Sequence, residues 1–183
     1  MHGIVLNQLK SFVVETYDRD TWATLQQEAG LPGKLYVPVT EYPDEDVLAL
    51  VETASELTEI PIPDLLEAFG EFLVPPLLET YGVHVDKDWT GLELIANVER
   101  YIHIALRAKQ VSTYTPPELE SGWRDNNTVS LVYQSDRQLC HLARGIITGV
   151  GDHFDEPFEI EEPVCMHEGD EYCELLVRHA EAA

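Results

Sequence analysis

Val129-Ser130-Leu131-Val132-Tyr133-Gln134-Ser135-Asp136-Arg137 is where the chain changes character. Val129, Leu131 and Tyr133 alternate with Ser130, Val132 and Gln134, the period of two of a half-buried strand. Upstream of residue 110 the apolar residues recur at helical spacing instead. Asp44 can cap a helix carrying Val47, Leu48, Val51, Ala54 and Leu57. Leu65, Leu66, Phe69, Phe72 and Leu73 place another between Asp64 and Tyr81, with a kink or break expected at Pro75-Pro76. Leu92, Ile95, Val98, Ile102 and Leu106 form one stripe of a helix over 90–109. Further helices are expected over 4–17 and, capped at Asp20-Thr21, up to Glu28, where Gly30 and Pro32 stop it. Residues 33–43 read as a loop. Downstream of the strand, residues 136–154 return to helix, with Gly145 and Gly149 leaving one face bare. Phe158 to Cys165 and Tyr172 to Val177 read as strands joined by the turn Glu168-Gly169-Asp170. A helical N-terminal half thus precedes a mixed αβ half with antiparallel strands, which is an α+β protein.

The chain has 183 residues, 34 acidic against 11 basic, and a formal net charge of -23. That length suits a single domain. The charge repels nucleic acid and disfavours an anionic membrane surface. The acids are spread along the whole chain, as on a surface kept soluble by charge. Apolar runs never approach the ~18 residues of a membrane span, so no membrane insertion is expected. Met1 to Lys10 lacks the basic and apolar regions of a signal peptide, so a cytoplasmic chain with reduced thiols is the expectation.

Three groups of residues could carry chemistry. His103 sits on the flank of the 90–109 stripe. There it is either a core histidine bonded to a carbonyl or a neutral imidazole offered to a haem iron. Tyr133, Ser135 and Arg137 would project to one side of a strand leading into a turn, a phenol, a hydroxyl and a guanidinium suited to gripping carboxylates. The alternative is that Ser135 or Asp136 caps the next helix and Arg137 is solvated. Cys140, Cys165 and Cys173 are either small buried residues or thiolates that meet at a metal, with zinc favoured in a reducing setting. A fourth ligand would come from His167, His141 or Glu162. No Gly-rich phosphate loop, G-x-S-x-G or H-E-x-x-H motif occurs, so the chain does not read as an enzyme.

Taken together, several features resemble the H-NOX family of haem nitric-oxide/oxygen-binding domains, over essentially the whole chain. They are the start Met1-His2-Gly3-Ile4-Val5, the helical His103, Pro116 beyond it, Tyr133-x-Ser135-x-Arg137, and Gly145-Ile-Ile-Thr-Gly149 followed by His153-Phe154. The resemblance implies one domain over 1–183, a helical distal part (1–60) and an αβ proximal part (61–183), with haem b between them. It implies His103 as the iron ligand, Tyr133, Ser135 and Arg137 as holders of the propionates, and Pro116 as the residue that presses on the porphyrin. Members that bind oxygen carry a distal tyrosine where this chain has Leu142, so a nitric oxide sensor that excludes oxygen is expected, with carbon monoxide as a further ligand. The resemblance is to the stand-alone bacterial type, which implies signalling to a separate sensor histidine kinase or to a diguanylate cyclase or phosphodiesterase. A subset of relatives binds zinc through three cysteines placed like Cys140, Cys165 and Cys173 and a histidine at the position of Glu162. Here Glu162 or His167 would complete that set. Without haem, the same thiols would make a redox- or zinc-sensing regulatory module.

Overall fold

The computed structural model describes residues 1–103 and 117–181. Four helices build the N-terminal region. Helix α1 (Gly3–Thr16) buries Ile4, Leu6, Leu9 and Val13 on one face. Helix α2 (Arg19–Glu28) is capped by Asp18, whose Oδ1 accepts from the Thr21 amide at 2.7 Å. The cap therefore falls before the expected Asp20, because the acceptor must precede the third amide of the helix. Helix α3 (Asp44–Thr58) starts with Asp44, Glu45 and Asp46 in its first turn, where carboxylates complement the free amides of a helix N-terminus. Asp44 is thus the first helical residue, and Pro43 occupies the cap.

Helix α4 (Ile62–Tyr81) runs unbroken through Pro75 and Pro76. The expected break is absent because the proline turn is braced from outside. Val74 is 2% exposed, and the helix lies against α6 (Cys140–Phe154) at backbone distance. A Cβ on Gly145 would fall 2.1 Å from the Glu67 carbonyl oxygen, and one on Gly70 would fall 2.5 Å from that of Leu142. Only glycine permits this approach, and it makes α4 and α6 the central pair of the molecule.

Helix α5 (Gly91–Val98) opens with a reciprocal cap between Thr90 and Glu93. Within the expected helix over 90–109, Gly91–Val98 is α-helical and a π-helical turn follows at Glu99–His103. The remainder of that expected helix, and Pro116, lie outside the described residues.

Strands β1 (Glu118–Trp123), β2 (Thr128–Gln134), β3 (Phe158–Val164) and β4 (Cys173–His179) form one antiparallel sheet in the order β1-β2-β4-β3. β1 has no counterpart in the sequence reading. It is an edge strand whose apolar residues are Leu119 and Trp123, too few to set a period. α6 begins at Cys140 rather than at 136, because Ser135 to Gln138 form a turn and Gln138 takes a left-handed φ of 50°.

Two apolar clusters result. Leu6, Val47, Leu50 and Phe69 centre the N-terminal one, and Val129, Cys173, Leu175 and Val177 centre the other, under the sheet. α4 and α6 serve both: Phe69 and Leu142 face the first cluster, Val74 and Ile147 the second. Among the described residues no helix is long and apolar enough to cross a membrane.

Candidate functional site

His103 closes the π-helical turn, and its side chain is 18% exposed. Its Nδ1 lies 3.1 Å from Oε2 of Glu99, one turn earlier. Burial lowers its pKa from 6.5 to about 4, so the ring is neutral at pH 7. A ring whose Nδ1–H is donated to a carboxylate keeps its lone pair on Nε2, the donor an iron needs. Neither the π turn nor Glu99 was legible beforehand, since an extra residue in a helical turn leaves no apolar signature.

Tyr133 is buried at the end of β2. Its hydroxyl accepts from the Leu139 amide at 3.2 Å and hydrogen-bonds Ser135. Burial, foremost, pushes the phenol pKa up. Ser135 Oγ accepts from the Arg137 amide at 3.3 Å. The three residues gather where the strand runs into a turn. β2 ends at Gln134, and the Ser135–Gln138 turn draws Ser135 and Arg137 back. Arg137 Nε then reaches Oδ2 of Asp44 at 2.8 Å. Asp44 also accepts from the N-terminal ammonium of Met1. Partial burial pushes the Asp44 carboxyl up, yet the hydrogen bonds and charges of Arg137 and the N-terminus outweigh it and hold it below the usual carboxylate range. A neutral, half-buried imidazole and a phenol–hydroxyl–guanidinium set are donors of the kinds a haem iron and its propionates require.

Leu142 is buried on α6 within the N-terminal cluster. His141, its neighbour, turns instead to Glu67, with Nδ1 3.3 Å from Oε1.

Cys140, Cys165 and Cys173 are all buried, and none of them is in a disulfide. Sγ of Cys165 and Cys173 are 4.0 Å apart. With Glu162, one ligand atom from each lies within 4.8 Å of every other. The β3–β4 register shifts between Glu161 and Val164, a bulge in which Glu162 and Pro163 together oppose Leu175. Glu162 Oε1 is buried and has no hydrogen-bond partner. Burial pushes the Cys173 thiol up to about 11, and it raises Cys140 further, helped by Cys173 and Glu162. His167 is not part of this set. It is exposed, its Nε2 donates to the Gln138 carbonyl at 3.0 Å, and its ring stacks on His141 with centroids 5.4 Å apart.

Comparison with known proteins bears on the fold and the family. The family described as Haem-NO-binding matches residues 2–162. An H-NOX protein from S. oneidensis, crystallised in the Fe(II)NO state, is 28% identical with a TM-score of 0.91, covering 99% of this chain and 100% of that one. An H-NOX domain from Shewanella oneidensis, solved by NMR in the Fe(II)CO state, is 27% identical with a TM-score of 0.87 and full coverage of both chains (100% each). An unliganded Fe(II) H-NOX protein from K. algicida, 19% identical, shares the fold at a TM-score of 0.84, over 100% of this chain and 98% of that one. Soluble guanylate cyclase gcy-32 of Caenorhabditis elegans is 22% identical over 163 residues, 82% of this chain. The chain spans 22% of that relative's length. The family match over most of the chain, on a helical N-terminal region joined to a four-stranded antiparallel sheet, places this protein in the Haem-NO-binding (H-NOX) family of haem-based gas sensors.

Proposed function

We propose that the chain senses nitric oxide at a ferrous haem b held by His103, with the propionates received by Tyr133, Ser135 and Arg137 and the porphyrin pressed by Pro116. The observation that carries this reading is His103 itself: neutral because burial lowers its pKa to about 4, and bonded at Nδ1 to Glu99 so that Nε2 is free. Haem, when bound, would supply the iron that takes the gas. His103 would hold that iron through Nε2, and its release would be the motion that signals. The π-helical turn that carries the ring follows directly on α5, so it would pass a change in the hold on His103 to that helix. The Asp44–Arg137 pair joins the helical part (1–60) to the αβ part (61–183), so it is placed to carry that motion between them. The moved surface then meets a separate sensor histidine kinase or cyclic-dinucleotide enzyme, in a cytoplasmic setting. The ligand shifts this equilibrium only by its different affinity for the two states.

Oxygen is excluded because its binding calls for a hydrogen-bond donor, which nitric oxide and carbon monoxide do not need. Leu142 offers only methyl groups, and His141 is turned to Glu67. The test is an absorption spectrum of the haem-loaded, anaerobically reduced protein. A Soret band that nitric oxide moves and air does not supports the reading, and a stable oxygen complex refutes oxygen exclusion. His103→Gly with haem retained should act on the partner as the nitric oxide state does. If it acts as the unliganded protein does, release of His103 is not the signal.

A second reading rests on the unpartnered Glu162 Oε1 facing three thiols. These four donors suit Zn2+, which would replace the thiol protons and hold the hairpin shut independently of haem. Without metal, burial keeps the Cys140 and Cys173 thiols protonated at neutral pH, so a redox module built on them would respond slowly. Zinc measured on protein purified without chelator tests it. Glu162→Gln should weaken retention against a chelator, and equal retention would remove Glu162 from the set.

A further inference from the structure

Cys140 is the corner of a second ligand set as well. Its Sγ and one ring nitrogen each of His141 and His167 also lie within 4.8 Å of one another. Neither histidine serves the haem residues or the Cys140–Glu162–Cys165–Cys173 set. Both are nonetheless fixed by partners that dictate where their protons sit. His167 Nε2 bonds to the carbonyl oxygen of Gln138, which only accepts, so this nitrogen carries hydrogen and Nδ1 carries the lone pair. His141 Nδ1 bonds to the carboxylate of Glu67, so its Nε2 carries the lone pair. A carboxylate or a backbone carbonyl behind the far nitrogen is the support that metal-bound histidines use. Three separate elements supply the parts: α4 gives Glu67, α6 gives Cys140 and His141, and the β3–β4 connection gives His167.

We propose that Cys140, His141 and His167 form a second transition-metal site, one that takes Zn2+ at the solvent edge of the buried thiol set. Two imidazoles and a thiolate are a zinc donor set with the fourth position open to water. Zinc bond lengths put neighbouring ligand atoms roughly 3.3–3.8 Å apart, so the set needs to close by no more than about 1.5 Å on binding. His167 is exposed and can make that movement by side-chain rotation. Binding draws the hairpin connection onto the N-terminus of α6, while Glu67 ties the site to α4. The site shares only Cys140 with the thiol set, and as a bridging thiolate Cys140 can serve both.

The test starts from reduced, haem-loaded protein stripped of metal and held in the diamagnetic ferrous carbonyl state. Zn2+ alone is titrated past one equivalent while the histidine ring-nitrogen resonances are followed. His141 and His167 should shift together. Cys165→Ser/Cys173→Ser, which dismantles the buried set, should still bind Zn2+, and adding His167→Ala should weaken that binding by about tenfold or more, since even outer partners of metal ligands carry that much. Zinc uptake with both ring signals unmoved overturns the proposal. So does uptake by the serine variant that is indifferent to loss of the two histidines. Should the serine variant fail to fold, the wild-type resonances decide alone. His141→Ala/His167→Ala reports the buried thiol set separately, so failure of one site is not mistaken for failure of the other.

Discussion

Oδ2 of Asp44, at the first residue of α3, lies 2.8 Å from Nε of Arg137, in the turn that follows β2. The Asp44 side chain is 36% exposed and that of Arg137 17%. This pair connects the first helix layer to the turn that carries the proposed propionate ligands. Asp44→Asn should lower stability by roughly 1 kcal/mol, the range of a partly screened pair. The Asp44 carboxyl is held below the usual carboxylate range, so its contribution is present above its unfolded value and lost as pH falls through the lower folded one. Urea midpoints from pH 7 down to 3 should therefore converge for wild type and Asp44→Asn at the acid end. Parallel curves would mean that the ion pair is not what Asp44 contributes.

His103 predicts a slope of its own. In haem-free protein the unfolded chain takes up the imidazole proton near pH 6.5, whereas the native ring waits until about 4. Stability should thus be full above pH 6.5, fall by roughly 3 kcal/mol as pH drops to about 4, and level off below. His103→Gln should flatten that interval in the same urea series. An unchanged slope would assign the titration to another group.

The contact between α4 and α6 predicts a strict requirement for Gly145. Its Cβ would meet the Glu67 backbone at 2.1 Å, where no flexible side chain can give way. Gly145→Ala should cost about 2–3 kcal/mol, as overpacking at a rigid contact does. Gly122→Ala, with open space around it, is the control and should be close to neutral. Equal midpoints for the two variants would show that the helices separate easily.

Leu142→Tyr tests gas choice at the side chain itself. Leu142 is 9% exposed among the N-terminal cluster, so the larger ring should cost about 1–3 kcal/mol in packing. It should also supply the hydroxyl donor that oxygen requires, giving an oxygen complex stable over minutes where wild type forms none. Spectra in air-saturated buffer read this directly. A variant that folds, holds haem and still ignores oxygen would move the selectivity away from this position.

Elements whose burial repeats with a regular period were legible in the chain. Val129, Leu131 and Tyr133 mark β2, and Leu66, Phe69 and Leu73 mark α4, because each pattern records a face turned to one core. β1 left no such record, since at the sheet edge Glu118, Glu120 and Ser121 need not be apolar. The π turn at Glu99–His103 was hidden for a related reason: one extra residue in a turn changes hydrogen-bond register without changing which residues are apolar. At Pro75-Pro76 local propensity argued for a break, and packing against α6 overrode it.

The identity of the candidate donors, and the apolar periods that divide the chain into a helical and a mixed half, were determined by the sequence alone. His103, the Tyr133–Ser135–Arg137 set and the three cysteines can be picked out by residue type and spacing, because chemistry of that kind depends on which atoms are present. Which donors meet was decided by tertiary structure. The bulge in β3 brings Glu162 to the thiols, the turn after β2 delivers Arg137 to Asp44, and His167 lands against His141 instead of among the thiols. Those distances depend on how closely α4, α6 and the sheet pack, and that closeness is set by many contacts at once, the approach of Gly145 to Glu67 among them.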